Sequence, residues 1–268
     1  MKADEFGRGD ALETSAFHWT SASRSHPGRV REVNEDACLE QPRCGVWAVA
    51  DGMGGHSLGE FASRLAIRSL VDLPREGTLE WRAAAAETRL LEANRRLRAE
   101  AARRDVPVIG TTIAALLVAQ NRFACVWAGD SRVYLYRDGR LRQLTRDHSQ
   151  LEAVRSLHVG SSDDTLDRPP ANVITRALGG DDRLELDAVG ADVADGDVFL
   201  LCSDGLSNEV SDADLMQALL PGNCRLAAEA LVDLALERGG HDNITVVVVR
   251  AEDLASPNRT VLHPVLKC

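Results

Sequence analysis

The stretch TTIAALLVAQNRFACVWAGDSRVYLYRDGRLRQL (residues 111–144) carries the architecture. TTIAALLVA, FACVWAG and RVYLYRDGRLRQL read as three or four strands too close together for helical crossovers, so they pair antiparallel. Asp138-Gly139 is the hairpin turn between the last two. Outward from there, residues 15–22 and 46–50 (VWAVA) also read as strands. GEFASRLAIRSLVDL (59–73) spaces Phe61, Leu65, Leu70 and Leu73 at helical intervals, and residues 79–104, rich in Ala, Leu, Glu and Arg, form a longer helix. Further on come DVFLLCSDG (a strand running into a loop), helices near 211–220 and 224–238, and a last strand in NITVVVVR. Antiparallel strands with inserted helices predict a layered α/β protein and argue against a doubly wound parallel sheet. Residues 147–183 are polar and carry Pro169-Pro170, a length of loop that in a compact domain tends to be functional or mobile.

The chain has 268 residues, 44% of them hydrophobic, and a formal net charge of −10. That charge argues against a general nucleic-acid binder, which needs a basic face to release counterions. Only Lys2 and Lys267 are lysines, and the other 29 basic residues are arginines. A Walker-type phosphate loop, a kinase strand lysine and a Schiff-base amine are all excluded. The N-terminus lacks an apolar signal region, and the longest apolar runs, 113–119 and 244–249, fall far short of the ~18 residues of a membrane span. Six cysteines show neither CxxC pairing nor metal spacing with the seven histidines, and Cys125 and Cys202 read as small core residues. The expectation is a reduced, cytoplasmic protein with no membrane and no nucleic-acid partner.

Four aspartates end apolar strands: Asp51 in VWAVADGMGGH, Asp130 in CVWAGDSR, Asp204 in VFLLCSDG and Asp242 in HDNITVVVV. One Asp-Gly pair is also an ordinary turn; four carboxylates at strand ends are harder to dismiss. Clustered carboxylates raise one another's pKa unless a cation neutralises them. An oxygen-only set favours Mg²⁺ or Mn²⁺ over Zn²⁺. Arg31, near Asn34, Glu35 and Asp36, could grip a phosphate dianion through its planar fork, or could form a surface ion pair with Glu32 or Glu35. The run GMGGHS departs from a dinucleotide-binding glycine pattern at Ser57, so a nucleotide hydrolase is the weaker account.

In the order RVREVNED (29–36), VADGMGGH (49–56), GTTIAALLV (110–118), AGDSRVYLY (128–136), LTRDHS (144–149), ITRALG (174–179), LLCSDGL (200–206) and HDNITVVVV (241–249), the chain resembles the metal-dependent protein phosphatases of type 2C, in their short bacterial form. The resemblance runs from about residue 17 to 250. It implies a four-layer α-β-β-α sandwich: two mostly antiparallel sheets face to face, with helices outside. A single domain would span 15–252, with a flap at about 147–183, between an N-terminal extension (1–14) and a C-terminal tail (253–268).

The activity implied is hydrolysis of phosphoserine and phosphothreonine on proteins by a metal-bridging hydroxide, without a phosphoenzyme, in agreement with the lack of a CxxxxxR loop. The same resemblance assigns Asp51 and the Gly52 carbonyl to a two-metal centre, with Asp204 and Asp242 on the other ion. Asp36 and Glu35 act directly or through water, Asp130 holds a third, weaker ion, and Arg31 clamps the phosphate. Some eukaryotic relatives carry a histidine directly after the Asp-Gly as general acid. Here that position is Met53, which leaves His56 or a metal-bound water as proton donor. His148 reads as a cap or surface residue and Arg176 as a flap-positioning group or a structural ion pair. The implied partners are phosphoproteins and a Ser/Thr kinase pathway, in some relatives tied to secretion machines, with the enzyme a monomer. A catalytically inactive, phosphatase-like binding module is the alternative class.

Overall fold

In a computed structural model, which describes residues 17–55, 57–157 and 173–255, the apolar runs of the sequence become strands buried on both faces. The elements in chain order are β1 (Phe17–His26), β2 (Ala37–Gln41), β3 (Val46–Ala50), β4 (Gly52–Met53), α1 (Ser57–Leu70), α2 (Leu79–Arg104), β5 (Gly110–Thr111) and β6 (Ile113–Ala119). Then follow β7 (Arg122–Ala128), β8 (Arg132–Arg137), β9 (Arg140–Gln143), α3 (Gln150–Leu157), β10 (Asp187–Asp192), β11 (Val198–Cys202), α4 (Asp204–Ser207), α5 (Asp212–Leu219), α6 (Cys224–Glu237) and β12 (Ile244–Asp253).

Two five-stranded sheets have the orders β1-β12-β11-β8-β9 and β10-β7-β6-β3-β2, and β4 pairs with β5 in a small ladder. Each described strand pairing is antiparallel. Alternate residues of one strand enter different cores, because side chains of successive residues point to opposite faces. Val46, Ala48 and Ala50 of β3 pack under α1 and α2, while Trp47 and Val49 face the other sheet. In β12, Val246 and Val248 meet α6, whereas Val247 and Val249 enter the layer between the sheets. Three stacked cores therefore separate four layers, the sandwich that the motifs implied.

The few aromatic residues concentrate between the sheets. Trp19 and Trp47 lie 5.5 Å apart, and Phe123 meets Phe199 edge-on at 4.9 Å. Such pairs add about 0.5–1.5 kcal/mol to the area they bury.

Helix α2 matches its expected range, with Thr78 accepting the Trp81 N–H as N-cap. Helix α1 departs from expectation at Phe61, which is exposed, 6.0 Å beneath the Arg104 guanidinium; Ala62, Leu65, Ala66 and Leu70 make the buried face instead. Strands β2 and β10 were not legible, and Asp253, expected to open the tail, closes β12. The expected extension at 1–14, the tail beyond 255 and the middle of the flap (158–172) lie outside the described residues.

Candidate metal centre and active site

The antiparallel topology brings every candidate aspartate to one end of the sandwich. Asp51 follows β3 and Asp130 follows β7 by two residues, while Asp36 precedes β2, whose Ala37 pairs with Ala50. From the other sheet, Asp204 opens α4 just beyond β11, and Asp242 lies two residues before β12, which runs antiparallel to β11. Charge is excluded from strands buried on both faces, so carboxylates gather where the strands end.

Among the described residues only Asp242 of these five has an ion-pair partner, Arg31. Asp36 is 8% exposed; Ser203 Oγ donates to its Oδ2 at 2.8 Å, and its Oδ1 is buried without a partner. Desolvation first, and then Asp204 and Asp242, push its pKa up to about 7. Asp130 is pushed up to about 7 by burial and then by Asp204 and Asp147. Asp51, partly exposed by area yet closely wrapped by protein atoms, is raised well above the carboxylate range by desolvation and by Asp36, Asp204, Asp130 and Asp242. Burial and Asp242 likewise raise Asp204. Oδ1 of Asp36, Asp130 and Asp204 are three of the seven buried side-chain polar atoms left without a hydrogen bond among the described residues. Orphaned acceptors of like charge suit a hard cation, and this donor set, all oxygen, fits Mg²⁺ or Mn²⁺. Among the described residues no trio of His, Cys, Asp or Glu side chains closes on one point as a finished cage.

Glycines allow the close packing here. A Cβ on Gly52 would sit 2.1 Å from the Gly59 carbonyl oxygen, and one on Gly205 would sit 2.1 Å from that of Asn243. Glu35 Oε1 accepts the Gly59 N–H at 3.2 Å, which anchors the first turn of α1. Arg31 Nη2 donates to Asp242 Oδ2 at 2.8 Å, so its ion pair is with Asp242 and not with Glu32 or Glu35. The guanidinium stays 55% exposed, at the rim of the cluster. A cavity of about 190 Å³ opens beside Asp130 and Asp204, lined also by Arg132, Asp147 and Asn208.

Several positioning groups escaped the sequence reading. Asn243 donates from Nδ2 to the carbonyls of Pro27 and Val33 and accepts the Glu35 N–H, which pins the Arg31 loop. Thr112 Oγ1 accepts the Asp51 N–H at 3.0 Å, and Thr111 Oγ1 donates to the Asp51 carbonyl at 2.8 Å. Their signal was present in GTT and HDNIT, where small polar residues interrupt apolar runs. His148 is neither cap nor surface residue: it is 8% exposed, and Ser149 Oγ accepts the Glu152 N–H at the start of α3. Arg176 forms an ion pair with Asp187 at 2.9 Å. His56 lies outside the described residues.

Five aspartates gathered from two helix-covered antiparallel sheets form a carboxylate cluster whose all-oxygen donors suit hard divalent cations. The chain belongs to the protein phosphatase 2C family, whose model matches residues 24–237. It is 38% identical over 233 residues to the serine/threonine protein phosphatase PstP of Mycobacterium tuberculosis, covering 87% of this chain and 45% of that one. This chain thus spans about half the length of that curated relative. Among solved structures, PppA of Pseudomonas aeruginosa, described as a key regulatory component of T6SS, is 44% identical, with a TM-score of 0.81 over 87% of this chain and 98% of its own. The catalytic domain of PstP in complex with two manganese ions is 38% identical, with a TM-score of 0.78 over 88% and 99%.

Proposed function

We propose that this chain hydrolyses phosphoserine and phosphothreonine on proteins, acting as a cytoplasmic monomer that reverses a Ser/Thr kinase. The observation that carries the reading is the set of buried, unpartnered carboxylate oxygens converging from both sheets beside an exposed arginine. Asp36, Asp51, Asp204 and Asp242, with the Gly52 carbonyl, would hold two Mn²⁺ or Mg²⁺ ions, and Asp130 a third, weaker one. The two manganese ions of the related PstP structure support that assignment. Such ions acidify water toward neutral pH and neutralise charge on a phosphoryl group.

The remaining work falls to side chains. Arg31, preset by Asp242, releases that carboxylate to receive two phosphate oxygens in its fork. Glu35, with Oε1 on Gly59, fixes the Asp36 segment against α1. Burial pushes Cys202 up to about 12 and raises Cys38, Cys125 and Cys224 as well, which disfavours a thiolate at these four positions. In this reading water attacks phosphorus directly, and His56 is the candidate donor to the departing seryl or threonyl oxygen. With all five aspartates present, nothing favours an inactive module. Likeness to PppA supports a secretion-associated setting.

The test is turnover of an aryl phosphate and of a phosphothreonine peptide in Mn²⁺. Asp51→Ala and Asp204→Ala should each abolish both activities while circular dichroism stays native. Unchanged turnover in either variant overturns the reading.

A further inference from the structure

The turn that carries Asp130 is gripped by three consecutive residues of the following loop. Trp127 Nε1 donates to the Arg146 carbonyl at 2.9 Å. Arg132 binds both carboxylate oxygens of Asp147, at 2.7–3.1 Å. His148 closes a reciprocal pair with Gly129: the Gly129 N–H donates to His148 Nδ1 at 3.2 Å, and the His148 N–H donates to the Gly129 carbonyl at 2.9 Å. An amide can only donate, so Nδ1 is the unprotonated nitrogen and Nε2 carries the hydrogen, directed at Asp187 Oδ2, 3.2 Å away. The ring stacks on Trp127, with centroids 6.1 Å apart and planes inclined by 19°.

Both ends of the flap meet at the same residue. The Thr175 N–H donates to the His148 carbonyl at 2.7 Å, the Gln150 N–H donates to that of Val173 at 2.9 Å, and Ser149 bridges to Ile174. Asp130 Oδ1, by contrast, is buried with no hydrogen bond, and the carboxylate is held by the backbone N–H of its own residue, so the backbone of its turn sets its direction. We propose that His148 is a positioning residue for Asp130, fixing the Gly129–Asp130 turn through Nδ1 and tying the aim of that carboxylate to both ends of the flap. This rests on the reading of Asp130 as an ion ligand. Outer hydrogen-bond partners of metal ligands commonly change affinity 10–100-fold.

The experiment is calorimetric titration of the EDTA-stripped full chain with Mn²⁺. His148→Ala should weaken the lowest-affinity step about 10-fold, and Asp130→Asn should remove that step. His148→Asn, whose Oδ1 can stand where Nδ1 stood, should restore most of it. The double variant His148→Ala/Asp130→Asn should bind no worse than Asp130→Asn alone. A wild-type titration of His148→Ala beside a weakened Asp130→Asn overturns the positioning role and leaves the metal assignment standing, as does a further fall in the double variant. An unchanged Asp130→Asn titration overturns both. Should His148→Ala fail to fold, His148→Gln, with its acceptor at the Nε2 position, replaces it; binding by Gln equal to that by Asn also overturns the role.

Discussion

Asp36 and Ser203 stand at strand ends in opposite sheets, 167 residues apart, and the Ser203 hydroxyl joins them by donating to Asp36 Oδ2 at 2.8 Å. Ser203 Oγ also accepts the Thr245 N–H at 2.9 Å, and of its two acceptors in reach the Asp36 carboxylate at 2.8 Å is nearer than the Asn243 carbonyl at 3.4 Å. Ser203→Ala removes a donor from a buried carboxylate and leaves the buried Thr245 amide unpartnered. The loss should be about 1–3 kcal/mol, read from urea unfolding in EDTA.

Stability of the metal-free protein should fall as pH rises. Asp36 and Asp130 are both pushed up to about 7, so between an unfolded carboxylate near 4 and that value the folded state binds more protons. Stability is then greatest on the acid side of the window and drops through pH 7. Urea midpoints in EDTA at pH 5.5 should exceed those at pH 8, and Asp36→Asn should flatten the slope.

Relief of repulsion and loss of function should coincide at Asp204. Asp204→Asn removes a charge that raises the pKa of Asp36, Asp51 and Asp130. Its melting temperature in EDTA should rise, by about 2–4 °C for each kcal/mol relieved. Wild-type protein should gain stability on adding Mn²⁺, and the variant should gain little. Differential scanning fluorimetry with and without Mn²⁺ reads both effects.

Arg31→Ala should act chiefly on KM. A guanidinium that grips phosphate in ground and transition states alike contributes uniform binding, and a charge-assisted bond of this kind corresponds to about tenfold or more. Steady-state kinetics on an aryl phosphate should show KM raised and kcat near wild type; a pure kcat effect contradicts the role.

Gly205→Ala should destabilise by about 1–3 kcal/mol or more, because the added methyl must displace the Asn243 carbonyl, 2.1 Å from its position. Chemical denaturation gives the number.

Much of this was readable from the chain. The Asp138-Gly139 hairpin appears with both residues at positive φ (51° and 72°) between β8 and β9. The aspartates were found because charge at the end of an unbroken apolar run is conspicuous. Strands β2 and β10 escaped because they are sheet-edge strands of mixed burial, where neither alternation nor a continuous run develops. Phe61 misled because α1 buries its alanine-rich face, and alanine gives a weak periodic signal. Asn243 and Ser203 escaped for another reason: their side chains bond partners 216 and 167 residues away in the chain, and no local pattern encodes that distance.

The sandwich also sets an aperture. Asp36, Asp51 and Asp130 hang from one sheet and Asp204 and Asp242 from the other, so the gap between those groups follows the thickness of the aromatic layer that keeps the sheets apart. Trp47 and Phe199, fully buried in that layer, act as shims. Changing their bulk should shift the spacing between the two groups of carboxylates without altering any of the five aspartates.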